Sequence, residues 1–269
     1  MNNLEREMVD VLLDLKENHH VSGVKAEFEA EGTRIEEAMR LKEILMKADI
    51  GLTLKIGGCE AIRDIYEARV LGVSRIVAPM IESPYAFSKF IGAINSSIPD
   101  DEKNQISFAI NIETQQAVKC LDEILSFKGL DKLGDIVVGR VDLSQSMGLS
   151  REDINSEPVT SVLVEVLKKS KNKGLKTAVG GGVSADSLSV FRNIEKGLLD
   201  RYETRKVIFD CPGALSSGSE AGILKAVYFE LLWLKNKRDY YGRIFLEDKV
   251  RIEMLEQRYK AKIEGVLRN

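Results

Sequence analysis

Short runs of apolar, β-branched residues alternate along the chain with longer segments whose apolar residues recur every three to four positions. The short runs are typical of strands buried on both faces, and the longer, charged segments are typical of amphipathic helices. This pattern predicts seven strands, at 21–29, 51–56, 75–79, 107–112, 135–138, 176–179 and 206–209. It predicts helices at 4–17, 35–47, 60–71, 84–94, 115–127, 159–173, 185–194, 220–237 and 246–267.

The order of these elements predicts the fold class. Strands that alternate with helices require right-handed crossovers and a parallel sheet covered by helices. Seven or eight such units favour an α/β fold of the TIM (β/α)₈-barrel type over a doubly wound sheet, although the pattern does not locate an eighth strand. We expect a single domain over 1–269, with the barrel core at 21–215, an extra N-terminal helix, and a helical C-terminal extension at 216–269.

Composition narrows the class of protein. The 269 residues are 44% hydrophobic and 30% charged, with a formal net charge of −3, so nothing favours a nucleic-acid partner or an anionic membrane. Three cysteines lie far apart, which excludes a disulfide framework or a zinc knuckle. The N-terminus lacks the apolar core of a signal peptide, and no apolar run is long enough to span a membrane. We therefore expect a cytoplasmic protein.

Charged residues and glycines follow most of the predicted strands. In a TIM barrel the active site lies at the C-terminal ends of the strands, so these side chains would meet at one mouth. A carboxylate just past a strand is also often the N-cap of the next helix, an alternative that applies above all to Glu82 and Asp210. The positions are Glu27, Glu29, Glu31, Lys55, Glu82, Glu113, Arg140, Asp142, Gly180, Gly181, Gly182 and Asp210.

Glu113 and Asp142 are the best placed of these residues. Two acids at the ends of adjacent strands repel each other unless a cation lies between them. Mg²⁺ or Mn²⁺ binds through one or two carboxylates and leaves positions for water and substrate oxygens. Such an ion can polarise a keto acid and stabilise an enolate. Lys55, within TLKIGG (53–58), is expected to point into the same mouth.

Three motifs resemble a known family. VAPMIES (77–83), INIET (110–114) and VVGRVDLSQSMGL (137–149) occur in the order and at the spacing of the HpcH/HpaI aldolase and citrate lyase β-subunit superfamily. The resemblance covers roughly 21–210. It implies that Glu113 and Asp142 hold a divalent metal, Mg²⁺ or Mn²⁺, which chelates a pyruvate-like group. It also implies carbon–carbon lyase chemistry on a small oxo acid or its CoA thioester, with Gly139 letting the backbone approach the ligand.

The chain departs from the family pattern at the predicted substrate-binding positions. Lys55 stands where the family usually has an arginine, and a lysine offers a point charge in place of a planar fork. Arg140 stands where proline is common and is expected to supply that fork. AEFEAEG lacks the histidine base of the aldolase branch, so Glu27, Glu29 or a metal-bound water would have to serve. We therefore expect Lys55, Glu29 and Arg140 to be catalytic and Lys55, Glu27, Gly139 and Gly181 to bind substrate.

Two other functions remain open. In a class I aldolase, Lys55 or Lys25 would form a Schiff base with the substrate. A non-catalytic relative would bind an oxo acid or a partner without turning it over. The C-terminal segment, 223–267, carries more large apolar residues than one barrel helix needs, and for this reason we expect a homo-oligomer. The alternative is that the segment only caps the base of the barrel.

Overall fold

A computed structural model of the chain describes residues 1–267 and shows a closed barrel whose eight strands pair in sequence order. The predicted TIM-type fold is confirmed. The strands are β1 (Val21–Glu27), β2 (Gly51–Lys55), β3 (Arg75–Ala78), β4 (Ser107–Ile112), β5 (Asp135–Gly139), β6 (Lys176–Gly180), β7 (Arg201–Glu203) and β8 (Val207–Asp210). From β1 through β7 each strand runs parallel to the next, so their C-terminal ends share one mouth.

Helices surround the sheet and bury most of the apolar core between themselves and the strands. Within 1–267, the α-helices are α1 (Asn3–His19), α2 (Ile35–Ala48), α3 (Ile62–Leu71), α4 (Pro84–Ser97), α5 (Asp100–Lys103), α6 (Gln115–Lys119), α7 (Leu121–Ile124), α8 (Arg140–Ser146), α9 (Glu157–Asn172), α10 (Ser187–Asn193) and α11 (Ser219–Leu267). None of the helices described is long and apolar enough to cross a membrane.

The last two strands differ from the prediction. β7 is a strand that the pattern did not locate, and β8 pairs antiparallel with both β7 and β1. Only three residues, 204–206, join β7 to β8, which is enough for a hairpin and too few for a parallel crossover. The prediction that Asp210 lies at the mouth is therefore wrong. Asp210 ends β8 at the opposite end of the barrel, where its carboxylate accepts a hydrogen bond from Ser22 at 2.7 Å.

The C-terminal segment also differs from the prediction, because one helix, α11, replaces the two expected there. The residues between the predicted helices, RDYYGRIF, contain a single glycine and no proline. One glycine costs a helix only about 1 kcal/mol, so nothing in this stretch ends it.

The interior of the barrel is layered. Its middle layer is a small apolar cluster of Val77, Ala109, Val137 and Ala178, separate from the main core. Charged side chains lie on either side of this layer. At the closed end, buried Asp135 pairs with Arg75 and Arg201. At the open end lie the side chains of the mouth.

Candidate active site

Glu113 lies one residue past β4 and is only 2% exposed. Its carboxylate accepts two hydrogen bonds of 2.9 Å, one at Oε1 from the backbone N–H of Met80 and one at Oε2 from the side-chain amide of Asn111. Met80 adopts a left-handed backbone conformation, with φ at 51°, which is strained for a residue with a side chain. Strain of this kind is concentrated at functional sites, where the surrounding structure imposes it.

Gly139, at the end of β5, makes room for the Glu113 side chain. A Cβ atom added at Gly139 would lie 2.5 Å from Oε2 of Glu113 and 2.9 Å from its Cβ. Real Cβ atoms do not come so close to their neighbours, so only glycine fits while Glu113 holds this position. We expected the glycine to admit a ligand to the backbone. In the structure, the space beside it is filled by a carboxylate.

Lys55 ends β2 and lies between two carboxylates. Its Nζ is 2.9 Å from Oε2 of Glu29 and 3.8 Å from Oε2 of Glu113. Burial by itself would lower the pKa of Lys55, but the carboxylates of Glu113, Glu29 and Glu27 outweigh burial and raise that pKa above its ordinary value. The mouth therefore holds a fixed positive charge beside Glu113.

The charged form of Glu113 is disfavoured at the mouth. Burial, reinforced by the nearby charge of Asp142, raises the pKa of Glu113 despite the opposing effects of Lys55 and the two hydrogen bonds. Asp142 is half-buried in the first turn of α8, which begins where β5 ends. A buried acid with a raised pKa beside a second acid is the arrangement that a bound cation would stabilise.

The residues present fit a hard divalent cation. Within the described residues, no three His, Cys, Asp or Glu side chains cluster closely enough to form an all-protein metal cage. Mg²⁺ does not need one, because it keeps several waters and binds through one or two carboxylates. Glu113 and Asp142 would supply these oxygens. Asn111, whose side-chain amide contacts Glu113, has a buried Oδ1 with no hydrogen-bond partner within the described structure.

A second ion-paired group lines the barrel wall at the mouth. Lys25 Nζ lies 3.3 Å from both Glu27 and Glu203. Burial opposes protonation of Lys25, but the two carboxylates raise its pKa above the ordinary value. Burial likewise opposes ionisation of Glu27, yet Lys25, Lys55 and Arg205 lower its pKa. Glu27 is therefore committed to Lys25 as a paired carboxylate.

Arg140 lies outside this cluster. Its side chain is fully buried and donates hydrogen bonds to the carbonyls of Gly180 and Gly181 and to the side chains of Asn155 and Ser187. It bridges β6 to its following loop and does not present a free fork to the mouth. Burial without a carboxylate partner lowers its pKa to about 10.

Gly181 also has a packing explanation. Its φ is +79°, and an added Cβ would lie 2.6 Å from the backbone nitrogen of Arg140 and 2.7 Å from that of Val141. The glycine lets the loop after β6 pack against the first turn of α8.

Of the predicted site residues, the structure thus brings together Lys55, Glu29, Glu27, Gly139, Glu113 and Asp142. It places Arg140 and Gly181 outside this group, where they pack against each other.

Sequence reasoning missed three residues of the site. Asn111 had a signal, since it lies two positions before Glu113 and alternate residues of a strand point to the same side. Glu203 belongs to β7, which was not located. Met80 acts through its backbone, for which the residue type provides no signal.

Solved structures share this architecture. The chain is similar to the citrate synthase SbnG, with 16% identity and a TM-score of 0.58 over 86% of this chain and 90% of that one. It is also similar to an HpcH/HpaI aldolase from Desulfitobacterium hafniense DCB-2, with 12% identity and a TM-score of 0.59 over 73% and 81% of the two chains. At such identities the similarity establishes the fold alone.

The family itself is established by sequence. No curated protein was found that matches the chain. The family model for HpcH/HpaI aldolase/citrate lyase matches residues 54–203, which is more than half of the chain and runs from the end of β2 to the end of β7. The matched segment contains both Glu113 and Asp142. The chain therefore belongs to the HpcH/HpaI aldolase/citrate lyase family.

Proposed function

We propose that the protein is a divalent-metal-dependent carbon–carbon lyase that acts on a small oxo acid or its CoA thioester. The observation that carries this proposal is the pair Glu113 and Asp142 at one mouth, with the ammonium group of Lys55 3.8 Å from Glu113. The pair would hold Mg²⁺ or Mn²⁺. Such an ion supplies Lewis-acid polarisation of a keto oxygen, which favours the enolate on which carbon–carbon cleavage depends.

The protein's own residues would then take the following roles. Lys55, held protonated by the acids around it, would bind the carboxylate of the oxo acid or the negative charge that develops on the enolate. Glu29, whose Oε2 lies 2.9 Å from the Lys55 Nζ, has a side chain that is 26% exposed, against 7% for Glu27, so Glu29 would be the carboxylate that substrate can reach and would accept or return a proton. Asn111 and the Met80 N–H fix the orientation of Glu113.

The charge states of the lysines argue against a Schiff-base mechanism. A lysine attacks a carbonyl only as the neutral amine, which requires a lowered pKa. The carboxylates around Lys55 and Lys25 overcome burial and raise both pKa values instead. Borohydride reduction in the presence of pyruvate is therefore expected to leave the mass of the protein unchanged, and a covalent adduct on either lysine would favour the class I alternative.

The test is calorimetry of metal-stripped protein with Mg²⁺ and Mn²⁺, with and without pyruvate or oxaloacetate. Wild type is compared with the double variant Glu113→Gln/Asp142→Asn. A matched control, Asp131→Asn/Glu152→Gln, removes two exposed acids elsewhere on the surface. We expect wild type and the control to bind metal, to bind it more tightly with the oxo acid, and the double variant to lose both effects.

One outcome would contradict the proposed function. Wild-type protein that binds neither ion, with or without an oxo acid, would contradict the metal-dependent lyase and favour a non-catalytic barrel. If metal binding is found, cleavage and formation of aldol products and of CoA thioesters should be assayed next.

A further inference from the structure

Arg140 is a buried cation without a counter-ion. Its side chain is fully buried, and no carboxylate among the described residues pairs with it. Burial lowers its pKa only to about 10, so the guanidinium is still charged at neutral pH. A buried charge is destabilising unless polar groups surround it. Two of these groups are peptide carbonyls, that of Gly180 at 3.3 Å from Nε and that of Gly181 at 3.1 Å from Nη2.

These two hydrogen bonds fix the orientation of the peptide groups that follow β6. The peptide bonds that join Gly180 to Gly181 and Gly181 to Gly182 are trans, and in a trans peptide the N–H points opposite to the C=O. Because both carbonyls point at the guanidinium, the N–H groups of Gly181 and Gly182 point away from it. Neither N–H donates a hydrogen bond to another described residue. The loop therefore presents two unpaired amide donors on one side.

The two amide donors face the β7 side of the mouth. β6 lies between β5 and β7, and Arg140 directly follows β5, so the N–H of Gly181 points toward the end of β7. A Cβ atom added at Gly180 would lie 3.9 Å from Oε2 of Glu203, the last residue of β7. The Glu203 carboxylate is paired with Lys25 at 3.3 Å. Its charge is therefore already balanced beside the amide donors.

The guanidinium behind the loop makes these donors suited to an anion. Hydrogen bonds in a chain polarise one another, so a cation at the carbonyl of one peptide group strengthens the N–H of that group as a donor. The loop is also accessible, because Gly182 is exposed and Gly181 partly exposed. Backbone N–H groups arranged side by side are donors that proteins use for carboxylate, phosphate and oxyanion groups. The loop has the features of such a site.

We propose that the N–H groups of Gly181 and Gly182, oriented by Arg140, bind an anionic oxygen group, either a carboxylate or a phosphate. The ligand's identity rests on the proposed function: the group would belong to the end of the substrate that the cation and Lys55 do not hold. Lys55 ends β2, and β2 and β6 are four strands apart in the closed barrel of eight, on opposite sides of the mouth. An eight-stranded barrel is wide enough for one small ligand, which would reach both sides.

Selective isotope labelling makes the two amides directly observable. When glycine labelled with ¹⁵N and with ¹³C at its carbonyl is supplied in cell-free synthesis, an HNCO spectrum shows only glycines that follow another glycine. In this sequence these are Gly58, Gly181 and Gly182. The Gly58 signal is identified by its loss in Gly58→Ala and serves as the internal control. The probes are 2-oxoglutarate, 2-oxopentanoate of the same chain length, and inorganic phosphate, each with and without Mg²⁺.

The terminal carboxylate is the difference that decides the test. We expect 2-oxoglutarate to move the proton signals of Gly181 and Gly182 to lower field, as new hydrogen bonds do, and 2-oxopentanoate to leave them in place. The same shift with phosphate alone would assign the site to phosphate groups. Arg140→Lys, which lacks the planar fork, should weaken binding about tenfold. The control Arg192→Lys, which alters an exposed arginine that donates to other carbonyls, should not.

Two results would overturn the amide site. One is that no probe moves either signal, and the other is that 2-oxoglutarate and 2-oxopentanoate move both signals equally. If wild type binds Mg²⁺ in calorimetry and either result is found, the amide site fails while the proposed function stands. Shifts at Gly181 and Gly182 in a protein that binds no metal would support the anion site and contradict the metal-dependent lyase.

Discussion

The barrel interior holds a buried acid at each end, and the pKa values of these two acids are shifted in opposite directions. At the closed end, Asp135 lies between Arg75 and Arg201 and accepts a hydrogen bond from Ser107 at 2.7 Å. Burial opposes its ionisation, but the two arginines prevail and lower its pKa. At the mouth, burial prevails over Lys55 and two hydrogen bonds, and the pKa of Glu113 is raised.

The difference separates a structural role from a functional one. A buried acid whose partners lower its pKa contributes to stability at neutral pH, because folding favours its charged form. A buried acid whose pKa is raised costs stability there, and such a cost is typical of a site arranged for a ligand that is not part of the protein. We therefore assign a structural role to the closed end, and in the proposed function the mouth would bind the cation.

Replacing Asp135 should have the largest effect. In Asp135→Asn the two arginines lose the charge that compensates them, and breaking a buried ion pair from one side costs about 3–5 kcal/mol of unfolding free energy. Urea denaturation measures this loss, with the exposed Asp131→Asn as a control for lost charge. A variant as stable as wild type would mean that the closed end contributes no more than a surface pair.

Acid should remove the same contribution from wild type. The pKa of Asp135 in the folded protein lies below its ordinary value of 3.8, so its contribution is fully present above pH 3.8 and is lost as the pH falls from there through the lower pKa of the folded state. Each unit of lowering corresponds to about 1.4 kcal/mol. The difference in unfolding free energy between wild type and Asp135→Asn, measured by urea from pH 7 to pH 3, should shrink as the pH falls. A constant difference would contradict this account of Asp135.

Gly139→Ala should damage the mouth with a moderate effect on the fold. The added methyl group would overlap the Glu113 carboxylate, and overpacking of this kind costs about 1–3 kcal/mol. Because Glu113 must move, Mg²⁺ binding should weaken at least tenfold in calorimetry. Gly58→Ala, where an added Cβ meets nothing within 4 Å, is the control expected to leave both quantities unchanged. Unchanged metal affinity in Gly139→Ala would indicate that Glu113 is not part of the metal site.

Lys55→Met should have the smallest effect on metal binding. Unlike Gly139→Ala, it should increase the affinity for Mg²⁺. Removing a cation 3.8 Å from Glu113 reduces its repulsion of a metal ion, so we expect Mg²⁺ to bind severalfold more tightly. The further tightening caused by pyruvate should disappear, because the ammonium group that binds its carboxylate is gone. Lys25→Met serves as a comparison in which the cation removed pairs with Glu27 and Glu203 instead. Weaker Mg²⁺ binding in Lys55→Met would contradict the charge balance described for the mouth.

Much of this organisation could be predicted from the sequence, for identifiable reasons. Apolar runs located most strands of the parallel sheet, and the rule that strand ends form the mouth singled out Glu113, Asp142 and Lys55. The direction of β8 was not predictable, because VIFD has the same pattern in either orientation. β7 was missed because its RYE segment places two charged side chains, Arg201 and Glu203, inside the barrel.

Arg140 shows a different limit. Beside Asp142 in the sequence, it resembles a substrate-binding residue, but its partners Asn155, Gly180 and Ser187 are 15 to 47 positions away. Only tertiary structure shows that these groups bury the guanidinium. The sequence shows that Arg140 is a cation just past a strand. It does not show whether the side chain points into the mouth or packs beside it.

Urea unfolding of wild type, Glu113→Gln and Asp135→Asn, each with and without Mg²⁺, tests the central claim most directly. A bound ion stabilises only the protein that can bind it. We predict that Glu113→Gln is within about 1 kcal/mol of wild type, or more stable, and gains nothing from Mg²⁺. Asp135→Asn should be much less stable but retain the Mg²⁺ effect. Destabilisation of both variants alike, or a Mg²⁺ effect that survives in Glu113→Gln, would contradict the division between a structural end and a functional mouth.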